Sequence, residues 1–148
     1  LQYGLGDESR RRRFLTSVPR VQRNVAQSLS ERDGHSRVAV IAVVMDNGEE
    51  RIVGLAEYAV YAGSAEPPEV AVAVADNYQK CGIGRHLLLL LATLSIAAGY
   101  TVWSADVLCD NTNVLRLLRQ VGTVRFLDSS CGVNHVEIDV DADKVFHG

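Results

Sequence analysis

A short glycine-bearing loop, residues 79–84 with the sequence QKCGIG, joins two apolar segments of different character. Residues 70–75 have the length and side chains of a strand, and residues 87–98 have those of a helix. The first backbone N–H groups of a helix have no partner inside it, and the helix dipole places partial positive charge there. A strand that turns through glycines into a helix therefore predicts an anion-binding loop, with pyrophosphate as its natural ligand.

The spacing of the glycines excludes two common phosphate-binding loops. A Walker loop needs two glycines five positions apart followed by Lys and Ser or Thr, and the chain has no such segment. A dinucleotide fingerprint needs a third glycine, but His86 and Leu87 follow Gly84 here. Any Gly-x-Gly segment can also be an ordinary tight turn, so the interpretation depends on the rest of the chain.

The apolar pattern around the loop predicts an α/β fold with a mixed sheet, because hairpins precede an alternation of strands and helices. The predicted strands are 38–45, 51–62, 69–75, 101–108, 124–127 and 133–140, and the predicted helices are 85–98 and 112–121. Asp46-Asn47-Gly48 favours a tight hairpin turn, and Gly99 and Gly122 favour helix ends. Residues 9–29 suggest two further short helices. The unbroken apolar run 70–75 is typical of a strand covered on both faces.

The segment Gln79-x-x-Gly82-x-Gly84 resembles the acyl-CoA loop of the GNAT superfamily of N-acetyltransferases. The resemblance extends to the strand from Glu69, the leucine-rich helix, Asn111 and Gly122 at the family's spacing. Within the superfamily, Glu8-Ser9-Arg10 and Glu69-Val70-Ala71 resemble bacterial Pat-type protein lysine acetyltransferases. The resemblance implies a mostly antiparallel central sheet with flanking helices, in one domain of residues 1–148 that lacks the family's usual first strand.

The resemblance also implies acetyl-CoA as co-substrate, no metal, and a set of site residues. The residues expected to contact acetyl-CoA are Val72, Val74, Gln79, Lys80, Cys81, Gly82, Ile83, Gly84, Arg85 and Asn111. The general base is expected at Glu69, with Glu57 as a second carboxylate near the acceptor. Many relatives carry a Tyr seven residues after the Asn to protonate the leaving thiolate, but this chain has Leu118 there.

These residues favour transfer of an acetyl group to an amine by direct attack, with a protein lysine as the favoured acceptor. A carboxylate must take the proton of the amine, and a backbone N–H can stabilise the oxyanion, so no covalent intermediate is needed. A small amine as acceptor and a non-catalytic acyl-CoA-binding regulatory module are the alternatives. Leu118 favours the second of these.

Composition limits the partners and the cellular setting. A net charge of −3 argues against a nucleic-acid surface, and no apolar run reaches the ~20 residues of a membrane-spanning helix. Three cysteines without metal-like spacing argue against a disulfide framework and indicate a reducing, cytoplasmic setting. The oligomeric state stays open, including a dimer or a place in a longer chain.

Overall fold

The computed structural model describes residues 20–22, 28–30, 35–79 and 81–147, and these form one sheet with two longer helices packed against it and a short third helix that contacts those two. The strands are β1 (Arg20–Gln22), β2 (Ser28–Ser30), β3 (His35–Asp46), β4 (Glu49–Tyr61), β5 (Glu69–Val74), β6 (Val102–Leu108), β7 (Gly122–Ser130) and β8 (Val133–Val140). The helices are α1 (Ile83–Ala97), α2 (Thr112–Val121) and α3 (Ala142–His147), and a 3₁₀ turn spans Asp76–Tyr78. None of the described helices is long and apolar enough to cross a bilayer.

The strand order is β1-β3-β4-β5-β6-β8-β7, with β2 also paired to β3. Every neighbouring pair is antiparallel except β5 and β6, which run parallel. The connection between these two strands contains α1, as a parallel pair requires a crossover. The mixed, mostly antiparallel α/β fold expected from the sequence is therefore confirmed.

The β3–β4 hairpin turns at the predicted dipeptide. Asn47 and Gly48 have φ angles of 54° and 79°, which is the left-handed backbone that a two-residue hairpin turn needs. The two strands then pair from Asp46↔Glu49 to His35↔Tyr61, with one bulge between Ala42 and Val43. This long ladder supports β5 on its other side.

The hydrophobic core lies between the sheet and the helices. Helix α1 buries one face, formed by Leu87, Leu88, Leu91 and Ala92, all fully inaccessible. Helix α2 adds Leu118 and its neighbours to the same cluster. Full burial of each leucine contributes about 1.5–3 kcal/mol relative to an exposed side chain. The core therefore fixes where the first turn of α1 meets the end of β5.

The segment near the N-terminus differs from the sequence prediction, whereas the predicted helix end at Gly122 is confirmed. Residues 9–29 were expected to be helical, but Arg20–Gln22 and Ser28–Ser30 are strands and the rest lies outside the described residues. Pairing with the long strand β3 outweighs a local helical preference there. Gly122 ends α2 as predicted and also begins β7, and a Cβ there would lie 2.2 Å from the Asp139 carbonyl oxygen, so the close strand pairing requires glycine at this position.

The expectation of a strand covered on both faces at 70–75 is wrong. Val70 is buried and Val72 and Val74 are half-buried, whereas Glu69, Ala71 and Ala73 are exposed. The alternation was hidden in the sequence because the exposed positions carry alanine, which is apolar but small. We call the side of the sheet that carries Glu69 the Glu69 face, and the opposite side the helix face.

A buried hydrogen-bond chain ties α1 to β6. The indole N–H of Trp103 donates to Ser95 Oγ at 2.9 Å, and Ser95 Oγ–H donates to the Tyr100 carbonyl at 2.7 Å. Trp103 and Ser95 are both fully buried. Removing the hydroxyl would leave the indole N–H buried without a partner.

We expect Ser95→Ala to lower the free energy of unfolding by about 1–3 kcal/mol, because the Trp103 N–H loses its acceptor. Thr93→Ala is the matched control, since the Thr93 hydroxyl donates only to the Leu89 carbonyl within the same helix. It should change stability by less than about 0.5 kcal/mol. Urea denaturation followed by Trp103 fluorescence measures both, and equal effects of the two variants would contradict this role for Ser95.

Candidate functional site

The parallel strands β5 and β6 pair at a single register position, Glu69↔Ser104. The Ser104 N–H donates to the Pro68 carbonyl at 2.8 Å, next to this pair. Beyond it the ladder between the two strands stops, while β5 stays paired with β4 and β6 with β8. A gap therefore opens between β5 and β6 towards their carboxyl ends, the edge at which ligands bind in open α/β sheets. We call it the strand gap.

The glycine loop lies at the open end of the strand gap and is held by hydrogen bonds. The Gln79 side-chain amide donates to the Val74 carbonyl at 3.1 Å and to the Asp76 carboxylate at 3.3 Å. Gly82 is the N-cap of α1 with a φ of 82°, a conformation that favours glycine. The His86 N–H donates to the Gly82 carbonyl at 3.0 Å, so the N–H groups of the first turn before it stay directed outwards.

Gly84 allows three elements to meet at the loop. A Cβ on this residue would lie 2.8 Å from Leu117 Cδ1 and 3.6 Å from Val74 Cγ2. The first turn of α1 therefore approaches β5 and α2 more closely than any other residue type would allow. This contact brings the glycine loop, β5 and α2 together on the helix face.

A cavity of about 640 Å³ lies between β5, the glycine loop and α2. It is lined by seven residues that the sequence predicted as acetyl-CoA contacts: Val72, Val74, Gln79, Gly82, Gly84, Arg85 and Asn111. Cys81 is exposed with its thiol 3.6 Å from the Gln79 carbonyl, and Ile83 is buried in the core, so neither lines the cavity. Lys80 lies outside the described residues.

The sequence did not lead to the cavity-lining residues that lie on α2 beyond Asn111. The additional lining residues are Ala73, Asn113, Val114, Arg116, Leu117 and Gln120. Asn113, Arg116, Leu117 and Gln120 follow the i, i+3, i+4, i+7 spacing of one helical face, which was readable from the predicted helix. Among the described lining residues the charged groups are Arg85 and Arg116, so the cavity favours an anionic ligand.

Asn111 caps α2 while it lines the cavity. Its side-chain oxygen accepts a hydrogen bond from the Val114 N–H at 3.2 Å. Seven residues further on, Leu118 is buried in the core, and the adjacent Leu117 is the one that faces the cavity. Neither side chain can donate a proton.

The two candidate carboxylates lie on the Glu69 face in different surroundings. Glu69 is exposed at the closed end of the strand gap, beside Ser104. Glu57 lies one strand away, opposite Ala71, and its carboxylate accepts a hydrogen bond from Arg37 at 3.1 Å. The cation neutralises Glu57, whereas Glu69 is the carboxylate placed at the strand gap itself.

Comparison with known proteins identifies the family. The model of the acetyltransferase (GNAT) family matches residues 8–123. Acetyltransferase PA5475 of Pseudomonas aeruginosa is 30% identical over 105 residues, which are 68% of this chain and 56% of that protein. The chain thus spans a little over half the length of this curated relative.

Two solved structures share the fold. The GNAT domain of S. lividans PAT matches with a TM-score of 0.57 and 25% identity, over 70% of this chain and 61% of that one. The structure of yncA from Salmonella typhimurium with its cofactor acetyl-CoA matches with a TM-score of 0.54 and 21% identity, over 72% and 66% of the two chains. This second protein thus shares the fold and was solved with acetyl-CoA as its cofactor.

We expect Asn111→Ala to lower the free energy of unfolding by about 1 kcal/mol, because α2 loses its N-cap acceptor. Asn111→Ser keeps a capping oxygen and should stay within a few tenths of a kcal/mol of the wild type. Urea denaturation compares the two variants. If Asn111→Ala were as stable as Asn111→Ser, the hydrogen bond to Val114 would have no capping role.

Proposed function

The chain belongs to the GNAT family of acetyltransferases, and on that premise we propose that it transfers the acetyl group of acetyl-CoA to an amine, with a protein lysine as acceptor. The observation that carries the proposal is the strand gap, which connects an anion-attracting cavity on one side with an exposed carboxylate on the other. The resemblance of Glu8-Ser9-Arg10 and Glu69-Val70-Ala71 to Pat-type protein lysine acetyltransferases favours a protein lysine, and the structural similarity to the GNAT domain of S. lividans PAT is consistent with it. A small amine is the alternative acceptor.

The cavity offers groups suited to each part of acetyl-CoA. The outward N–H groups at the start of α1, together with Arg85, suit the pyrophosphate. Arg116 on α2 adds positive charge at the same cavity. From Val72 to Val74, the edge of β5 that faces β6 has no strand partner. Its backbone N–H and C=O groups suit the amides of the pantetheine arm, and Asn111 lines the same cavity. The thioester would then lie in the strand gap.

The reaction needs a neutral amine and a stabilised oxyanion. The ordinary pKa of a lysine side chain is about 10.4, so the ammonium must lose a proton before it attacks the thioester carbonyl. Glu69 is suited to accept this proton, directly or through water, because it lies exposed where the strand gap closes. Backbone N–H groups freed by the separation of β5 and β6 are suited to the oxyanion.

The leaving thiolate has no acidic side chain beside it among the described lining residues. Leu117 occupies the part of α2 that faces the cavity. Water is therefore the proton source in the proposed reaction. The same feature motivates the second candidate, a regulatory module that binds acyl-CoA without turnover.

The wider context of the chain is also part of the proposal. We propose that residues 1–148 form a single GNAT domain, in agreement with the one continuous sheet of the described residues. All three cysteines are free and exposed, which supports a reducing cytoplasmic location.

We expect isothermal titration calorimetry to detect acetyl-CoA and free CoA binding with micromolar affinity, and no binding of NAD. Gly82→Asp should weaken CoA binding at least about tenfold, because it places a negative charge and a strained side chain at the anion-binding loop. Gly63→Asp is the matched control, since Gly63 also has a positive φ and open surroundings but lies in a remote turn. Absence of CoA binding to the wild type would refute the proposed function.

We expect Glu69→Gln to lower kcat by about 10²–10⁴-fold, because the amide cannot accept the proton. The affinity for acetyl-CoA should be unchanged, since Glu69 does not line the cavity. Glu57→Gln should retain most activity, because Arg37 already neutralises Glu57. Acetylation of a lysine peptide panel, followed by free-thiol release, measures both variants. Turnover that survives Glu69→Gln but not Glu57→Gln would reverse their roles, and bound acetyl-CoA without turnover in the wild type would favour the regulatory module.

A further inference from the structure

Three titratable side chains form a row across the Glu69 face that begins at the strand gap. Asp106 lies on β6, two residues beyond Ser104 and on the same face, since Ala105 and Val107 between and after them are buried. His135 is its register partner on β8, and Asp128 is the register partner of His135 on β7. We call Asp106, His135 and Asp128 the Asp–His–Asp row.

The members of the row are in direct contact. His135 Nδ1 lies 2.5 Å from Asp106 Oδ1, and His135 Nε2 lies 3.6 Å from Asp128 Oδ1. The neighbouring Glu137 on β8 accepts a hydrogen bond from Arg125 at 2.9 Å, and Arg125 also pairs with Asp139. Arg125 thus shares its charge between Glu137 and Asp139, and the carboxylates whose charges act on His135 are Asp106 and Asp128.

A contribution to folding stability does not explain why the side chains of the Asp–His–Asp row lie together. The side chains of Asp106, His135 and Asp128 are 57%, 37% and 69% exposed, and exposed ion pairs contribute little to folding. No set of three His, Cys, Asp or Glu side chains in the described chain is arranged to hold a metal ion. What distinguishes the row is its position, with one carboxylate at the strand gap and an imidazole behind it.

Resting on the proposed function, we propose that Asp106 binds the acceptor amine as an alkylammonium ion on the side of the strand gap opposite Glu69, with His135 as its positioning residue. Asp106 stands on the β6 side of the strand gap, and Glu69 stands where the gap closes on β5. The exposed residues of β5 next along this face are Ala71 and Ala73, whose small side chains leave room for an extended alkyl chain. The acceptor that fits this proposal is therefore a primary amine that binds in its protonated, positively charged form.

Proton binding at His135 and amine binding at Asp106 are then in competition. The hydrogen bond to Asp106 is the main cause that raises the pKa of His135, with further contributions from the charges of Asp106 and Asp128 that act against desolvation. An ammonium ion on Asp106 would repel the imidazolium and lower the pKa of His135 again. By linkage, the amine binds more tightly once the pH exceeds the pKa of His135, when the imidazole is neutral and Asp106 keeps its full negative charge.

The test follows the His135 ring by NMR as a function of pH, in the presence of saturating free CoA. His135→Gln assigns the resonance among the four histidines of the chain. The probe is Nα-acetyl-lysine N-methylamide, and the control is the norleucine analogue, which has a similar alkyl chain without the charge. The lysine probe should lower the pKa of His135, and the norleucine control should leave it unchanged.

Two variants separate binding at Asp106 from a general effect of charge. Asp106→Asn should lower the pKa of His135 in the free protein, remove its response to the probe, and raise KM for the lysine probe by about tenfold or more. KM for acetyl-CoA should not change. Asp128→Asn, which removes the more distant carboxylate, should keep most of the response.

A His135 pKa that does not respond to the lysine probe while CoA binds normally would overturn this inference and leave the proposed function intact. An unchanged KM for the lysine probe in Asp106→Asn would also overturn this inference and leave the proposed function intact. Failure of CoA binding would instead refute the proposed function, and the probe titration without CoA would still decide whether Asp106 binds an alkylammonium ion.

Discussion

The separation of β5 from β6 after one shared register position is the constraint on which the site depends. Each strand keeps its antiparallel partner, so the sheet stays continuous while its centre opens. Next to this opening, on the helix face, the close approach of Gly84 to Leu117 and Val74 packs α1 against both β5 and α2. A larger residue at this position would displace helices that the buried leucines of α1 fix in the core. The shape of the cavity is thus a consequence of core packing.

The strand gap also separates charges of opposite sign. On the helix side, Arg85 and Arg116 line the cavity, whereas the Glu69 face carries Glu69 and Asp106 at the gap and Asp128 beyond it. An anionic cofactor and a cationic acceptor would each be attracted to the side on which it is needed. A net charge of −3 conceals this arrangement, because the total says nothing about the face on which each charge lies.

The sequence was sufficient where a local pattern decides the structure. The strand–loop–helix unit, the Asn47-Gly48 turn and the cap at Asn111 all depend on neighbouring residues, and each is present. What depends on pairing between distant segments could not be read. The exposed alanines of β5 hid its alternation, and the meeting of Asp106 with His135 requires the β6–β8 register. That register follows from the whole sheet, since a shift of one residue would move every side chain to the other face.

The energetics of the proposed reaction explain why a carboxylate at the strand gap matters more than an acid beside the thiolate. At pH 7 a lysine with an ordinary pKa of about 10.4 must be deprotonated at a cost of about 4.6 kcal/mol. A thiolate whose thiol has a pKa of about 8.5 carries a disadvantage of only about 2 kcal/mol when it leaves unprotonated. Because Leu117 and Leu118 cannot protonate the thiolate, the proposed reaction lacks only the smaller of these two free-energy contributions. Leu118 instead packs in the core, and Leu117 packs against it. In the proposed reaction, Glu69 would accept the proton whose removal carries the larger cost. Asp106 would hold the amine within reach of this base and would not itself lower that cost.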